Sequence, residues 1–346
     1  MKLKFWTCDL ILAHRWAISG RPGSSLRHNV LVQLTDDDGV TGLGEAAPAS
    51  TYGESAATAT AFLEKVDPDK LSFADIPGSM RRLEAVGPKE MAAKCALNLA
   101  LVDAAAKRAG QPVYDFLGLG FREKHHVTSL TIGLDTPDII RQKTIEAANH
   151  PVLKLKVGDA SDRQNLAALR AVAPAKPVRV DANEGWKTKE QALEMLEWLA
   201  KDGRIQFVEQ PMPHQTPARD LAWLKARSPL PLFADESYHT ARDVAHCAGC
   251  FHGVNVKLVK TGGISAAHEA LLAARQAGLK TMIGSMIETS LLTSAGAHLA
   301  NLADFLDLDG ALLITNDPFL GVTAENGILS FAGAPDKTGL RVRARG

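Results

Sequence analysis

VLKLKVG (152–158), VRVDANEGW (178–186), FVEQP (207–211), LFADES (232–237) and VNVKLVKTGG (254–263) share one design: a short apolar, β-branched run that ends on a charged residue. Runs of this length and make-up read as buried parallel strands. Lys156, Asp181, Glu209, Asp235 and Lys257 follow one another at intervals of 25, 28, 26 and 22 residues. Each interval holds one strand, one helix and two loops, which is the period of a β/α barrel. The C-terminal ends of successive barrel strands converge on a single mouth, so charges far apart in sequence become neighbours around one pocket.

Working outward, strand and helix alternate from Val127 through VTSLTIG, VLKLKV, VRVDAN, IQFVEQ, LFADES, GVNVKLV and KTMIGS to FLDLDG (305–310), which makes eight strand candidates. The first 45 or so residues read differently. KLKFWTCDLIL, NVLVQLT and VTGLGEA are strands, Asp38 and Gly39 sit in a hairpin turn, and an irregular loop from Ala13 to Arg27 joins the first two. From Glu54 to Gly110 the pattern is helical, with Pro88 suited to a first helical turn and Gly110 to a stop. Strands followed by helices make an α+β module at 1–125, ahead of a barrel at 126–314. By elimination, 315–346, with the apolar run GILSF, returns to complete the N-terminal module.

The 346 residues carry 39 basic and 39 acidic side chains, so no net field draws the chain to nucleic acid or an anionic membrane. No apolar run reaches the length of a spanning helix, and the first residues read as a strand rather than a signal peptide. A cytoplasmic home is expected. Cys8, Cys95, Cys247 and Cys250 are too scattered for a disulfide framework. The CxxC pair Cys247/Cys250 lacks the second ligand pair of a zinc site and reads as small apolar residues on the helix after Asp235.

Three carboxylates, Asp181, Glu209 and Asp235, on adjacent strand ends form an all-oxygen set suited to one hard divalent cation such as Mg²⁺. Taken singly, each could instead cap a helix or pair with a lysine. Lys154 and Lys156 share one face of a strand, and Lys257 comes from across the mouth. Proximity to a metal and to one another is expected to depress a lysine's pKa so that one acts as base while another stays protonated. Lysines on opposite faces of a metal-bound carboxylate fit reversible proton transfer at its α-carbon through a metal-stabilised enolate, with Lys154 as electrostatic helper.

The motifs KLKVG, VDANEGW, VEQP, ADES and NVKLVKTGG resemble those of the enolase superfamily, in its muconate-lactonizing-type branch, over most of the chain. The resemblance implies a modified (β/α)8 TIM-type barrel with an α+β capping domain. It also implies Asp181, Glu209 and Asp235 as metal ligands and Lys156 and Lys257 as the acid/base pair, the use of lysine bases with Mg²⁺ being a recorded trait of that superfamily. Glu184 departs from the Gln common in relatives and is expected in the surrounding shell.

FLDLDGALL puts Asp307 and Asp309 on one face at the last strand end, where an acidic pair beyond the metal ligands offers a cation a docking site. The alternative is an ion pair with a basic side chain at the domain interface. The pair resembles the Asp-x-Asp motif of dipeptide epimerases, in which it holds the substrate's α-ammonium group. That resemblance implies a Mg²⁺-dependent dipeptide epimerase acting on the C-terminal residue, with L-Ala-D/L-Glu from murein peptides as the default substrate. Other readings are an o-succinylbenzoate synthase, an N-acylamino acid racemase, a cycloisomerase, or a non-catalytic ligand-binding barrel. Thr128, Thr131, Ser285, Met286 and Glu288 are further substrate-binding candidates. So are Arg15, Arg21 and Arg27, which together with His14 lie in a loop resembling the segment that folds over the mouth and could meet a substrate side-chain carboxylate. Gly262 and Gly263 suit close packing better than phosphate binding, and His125 and His126 are expected in the interdomain linker. A homo-oligomer is left open.

Overall fold

The computed structural model describes residues 1–346. Three antiparallel strands, β1 (Lys2–Trp16), β2 (Ser24–Thr35) and β3 (Thr41–Ala46), open the chain, followed by the helices α1 (Ala56–Leu63), α2 (Ile76–Val86), α3 (Met91–Arg108) and α4 (Val113–Phe116). Strand β3 lies directly on α3: a side chain on Gly42 or Gly44 would drive into the backbone carbonyls of Ala100 and Ala96. Glycine on the strand and alanine on the helix let the two backbones touch, and α3 is buried almost from end to end.

Eight parallel strands then form the barrel sheet: β5 (Leu130–Ile132), β6 (Leu153–Lys156), β7 (Val178–Asp181), β8 (Ile205–Glu209), β9 (Leu232–Ala234), β10 (Gly253–Val256), β11 (Lys280–Gly284) and β12 (Phe305–Asp307), hydrogen-bonded in that order. A parallel bridge from Thr128 to Leu306 brings the first strand beside the last. The intervening helices are α5 (Pro137–Glu146), α6 (Asp162–Val172), α7 (Lys189–Ala200), α8 (Ala218–Lys225), α9 (Val244–Cys250), a short α10 (Leu258–Thr261), α11 (Ile264–Gln276) and α12 (Ser290–Ala297). Phe207, Phe233 and Met282 plug the barrel interior, with Phe305 packed against them. No helix is long and apolar enough to cross a membrane.

The eight strands and their order match the periodicity, and three expectations need correction. First, the loop expected at Ala13–Arg27 is mostly strand: Leu10 pairs with Arg27, Ile11 with Leu26 and, past a bulge, Trp16 with Ser24. Backbone pairing carried the ladder past the apolar run, because exposed His14 and Arg15 need no buried face. Second, the VTSLTIG run is split. Its first part belongs to β4 (His126–Val127), which pairs with β15 (Ile328–Ser330) outside the barrel, and only β5 enters the ring. His126 is accordingly a buried strand residue rather than linker. Third, Pro88 precedes α3 instead of opening it; Glu90 stands at the cap with φ 62°, and the Glu54 carboxylate accepts the free Met91 and Ala92 N–H groups.

The last residues form β13 (Phe319–Leu320), β14 (Thr323–Glu325), β15 and β16 (Arg343–Ala344), with β13 on β16 and β14 on β15. They return to the first module where Leu340 N–H donates to Asp103 of α3 and Pro112 bridges Gly339.

Candidate active site

In-register pairing assembles the charges. Lys156 at the end of β6 stands opposite Asp181 on β7, and Asp181 opposite Glu209 on β8. Oxygens of Asp181, Glu209 and Asp235 lie within 4.8 Å of one another, and all three residues are buried. Lys154 is the hub: its Nζ lies 2.7 Å from Glu209, 2.7 Å from Asp307 and 3.0 Å from Asp181. Lys156 donates to Asp181 at 2.6 Å and Lys257 to Asp235 at 2.8 Å. Lys260, one helical turn beyond Lys257, fixes Asp235 from behind, donating to its carboxylate at 2.6 Å and its carbonyl at 2.5 Å.

Asp181, Glu209, Asp235 and Asp307 are thus set against Lys154, Lys156, Lys257 and Lys260. Buried charges persist where they are paired, and the titration of the group follows from this pairing. Burial works against an ionised Asp181, yet Lys156 and Lys154 hold it near 2; Lys257, Lys260 and Lys154 likewise overcome burial to keep Asp235 well below the ordinary carboxylate range. Glu209 goes the other way, to about 7, through burial and the Asp181 charge beside it. Two carboxyls have no lysine of their own. Glu236 is pushed up to about 8 by burial and then by Asp235, and Asp309 to about 6 by burial and then by Asp307.

Lys154 and Lys257 are shifted upward by the carboxylates around them. Burial favours the neutral amine of Lys154, but Asp307, Glu209 and Asp181 raise it well above the ordinary value, and Asp235 raises Lys257 against the same burial. Direct ion pairs at these distances outweigh both desolvation and the neighbouring ammonium groups.

The donor set fits a hard divalent cation: three convergent carboxylates, buried and without histidine or thiol. Asp181, Glu209 and Asp235 would hold it, in competition with the ammonium groups that now share their oxygens.

Above this layer lies a cavity of about 900 Å³, lined from the barrel by Lys154, Lys156, Lys257, Asp235, Glu236, Asp307 and Asp309 and roofed by the capping module through Trp16, Arg21, Arg27 and Tyr52. Thr131, Ser285 and Met286 also line it. Thr131 does so while its backbone N–H donates to Asp309 at 2.7 Å.

Other candidates stand elsewhere. Thr128 is fully buried behind the strand, its hydroxyl accepting from Leu308 N–H, and Glu288 is buried accepting from Met286 N–H and Thr293; neither lines the cavity. Arg15 points outward across Gly23 because strand alternation in β1 turns it from the mouth, and His14 pairs with Glu146. Arg21 donates to Thr51 and so ties the turn after β1 to the segment before α1. Asp307 lines the cavity while accepting from Lys154 and Ser129 at 2.7 and 2.6 Å, an ion pair within the mouth itself and not at the domain interface. Glu184 does lie in the shell, where its carboxylate accepts from His214. Gly263 is close packing: a side chain there would strike Asn98. Cys247 and Cys250 are free and buried on α9.

Residues overlooked in the sequence include Lys260, Glu236, Asn255, which donates to Glu209 at 2.7 Å, and Arg179, which runs beneath the site from Gln206 to Ser129 and the Leu306 carbonyl. All four had a signal, since each lies within three residues of a residue singled out.

Residues 140–329 match the family described as "Enolase C-terminal domain-like", and 19–118 that described as "Mandelate racemase / muconate lactonizing enzyme, N-terminal domain". The chain is 64% identical to an L-Ala-D/L-amino acid epimerase of Pedosphaera parvula over all of both chains. The structure of a substrate-liganded L-Ala-D/L-Glu epimerase from Bacillus subtilis superposes with TM-score 0.91 at 28% identity, covering 99% of this chain and 98% of that one. A dipeptide epimerase from Cytophaga hutchinsonii, complexed with Mg and the dipeptide D-Ala-L-Val, gives 0.91 at 28% identity over 99% and 95%.

With Glu209 titrating near 7, a cation entering the carboxylate cluster must displace a proton below that pH. Mg²⁺ affinity should therefore rise by about tenfold from about pH 6 to about pH 8, with proton release that fades toward the upper end. Calorimetry in buffers of different ionisation enthalpy measures both, and an affinity flat across that window would contradict the arrangement.

Proposed function

The chain belongs to the mandelate racemase/muconate lactonizing enzyme family of the enolase superfamily, and from that premise we propose that it is a divalent-metal-dependent dipeptide epimerase inverting the α-carbon of the C-terminal residue. One observation carries the reading: Lys156 ends the second strand of the ring and Lys257 follows the sixth, four places apart among eight and so on opposite sides of the mouth.

The carboxylate cluster occupies the third to fifth strands between them, and Asp309 follows the eighth, on the other side. A dipeptide lying across the mouth, carboxylate toward the cluster and ammonium toward Asp309, would set its α-carbon between the two lysine amines. Lys156 would remove or return the proton on one face and Lys257 on the other. When bound, the cation supplies positive charge to the substrate carboxylate, where negative charge builds as the proton leaves. Lys154, held by three carboxylates, would add a fixed positive charge beside it. Each base must first be neutral, and Lys156 and Lys257 are each bonded to a carboxylate, Asp181 and Asp235, that would also serve as a ligand of the cation.

Asp309 is the carboxylate best placed for the ammonium group. It carries no lysine, and its raised pKa marks a site that a cation would relieve. Asp307 would act through Lys154 instead. For the side chain we favour Glu, and hence L-Ala-D/L-Glu and murein-peptide recycling, because Arg21 and Arg27 face the cavity and a guanidinium discriminates well for a carboxylate.

Lys156→Ala and Lys257→Ala should each abolish epimerisation, yet each should keep α-hydrogen exchange with solvent from one diastereomer only, the opposite one in the two variants. Mass spectrometry in D₂O reads this directly, and exchange of both diastereomers by either variant refutes the two-base assignment. Asp309→Asn should lower kcat/KM for dipeptides by about a hundredfold while N-acylated amino acids lose far less. Equal losses would favour an N-acylamino acid racemase.

A further inference from the structure

Behind the wall of the cavity is a buried acid that the chemistry above does not use. Glu45, at the end of β3 in the capping module, is 0% exposed, and no lysine, arginine or histidine is bonded to it. All its partners are neutral. Asn29 of β2 donates to it at 2.7 Å, the Thr289 hydroxyl at 2.5 Å, the Thr289 N–H at 3.0 Å and the Leu292 N–H at 3.3 Å. Thr289 caps α12 and Leu292 lies in its first turn, so a carboxylate from one module satisfies the open N-terminus of a barrel helix in the other.

The same Asn29 amide also donates to the Ile287 carbonyl at 3.1 Å. Ile287, Met286 and Ser285 form the cavity wall after β11, and Asn29 itself touches the cavity. The segment has no slack on its other side, since a side chain on Gly310 would strike the Met286 carbonyl and Glu288. Burial pushes Glu45 up to about 7 despite these hydrogen bonds, a sign of how much desolvation the contact overcomes.

We infer that Glu45 is a positioning residue for substrate: through Asn29 and Thr289 it clamps residues 285–289 of the barrel to the capping module, and so sets the cavity wall against which the dipeptide packs. Glu45 touches neither the lysines nor the carboxylate cluster, so its loss should loosen substrate binding while leaving proton transfer in place. This rests on the epimerase reading for its kinetic arm only.

Glu45→Ala, with Glu45→Asp as the variant that keeps the charge but withdraws the oxygens, should raise KM for the dipeptide by about tenfold or more with kcat within about threefold. Amide hydrogen exchange at Thr289 and Leu292 should speed up by at least about tenfold in the same proteins below their melting temperature. Glu45→Gln should restore KM and the slow exchange at Thr289 but not at Leu292, because its carbonyl can take the Asn29 and Thr289 N–H donors and its amide can donate to the Thr289 hydroxyl, while the oxygen that accepts from Leu292 N–H is lost. Should Glu45→Ala fail to fold, Glu45→Asp decides the matter. A folded Ala or Asp variant with lowered melting temperature but unchanged KM and unchanged exchange overturns the inference, leaving Glu45 merely structural. If the wild type proves inactive on dipeptides, the epimerase reading falls, and the exchange measurement alone still decides the clamp.

Discussion

At the barrel mouth Asp181, Glu209, Asp235 and Asp307 are buried against the ammonium groups of Lys154, Lys156, Lys257 and Lys260. Isolated, any one of these charges in so dry a setting would be prohibitively unfavourable; in the lattice Asp181, Asp235 and Asp307 are held ionised, while Glu209 is pushed up to about 7. Lys154 bonds to three of the four paired carboxylates at once. That arrangement requires β6, β7, β8 and β12 to keep their register to the residue, because a slip of one position would send Lys154 to the opposite face. The aromatic plug beneath, with Arg179 over Phe207 and Phe305, supports the layer from below.

Lattice and chemistry are linked by what is left over. Four lysines answer four carboxylates, and besides Glu209 the two carboxyls without a lysine, Glu236 and Asp309, have their pKa values driven upward. A site in this state favours added positive charge. A divalent cation among Asp181, Glu209 and Asp235 and an ammonium group at Asp309 would bring it, one on each side of the axis between Lys156 and Lys257. The ligands of the first, Asp181 and Asp235, are also the ion-pair partners of Lys156 and Lys257, which ties charge balance to reactivity.

The barrel and its charged mouth were legible in the sequence because both rest on local patterns: an apolar run of fixed length, a charged residue at its end, and an interval that admits one helix. Lys156, Asp181, Glu209, Asp235 and Lys257 could be named for that reason. What could not be read rests on pairings between distant segments. Nothing near Asp307 announces that Lys154 will occupy it, since 153 residues separate them. Glu45 looks like the end of a strand until α12 is set against it. The long ladder of β1 with β2 escaped notice because an exposed edge strand needs no apolar alternation, so His14 and Arg15 gave the impression of a loop.

Two opposed lysines that pass a proton to and from one carbon would leave an isotopic mark when the solvent is D₂O. Incubating the wild-type protein with Mg²⁺ and L-Ala-L-Glu in D₂O, and following deuterium by mass spectrometry and diastereomer ratio by NMR, tests it most directly. A single deuterium, confined to the α-carbon of the C-terminal residue, should appear in both diastereomers as the mixture approaches equilibrium. Epimerisation without deuterium uptake, or label at the N-terminal residue, would contradict it.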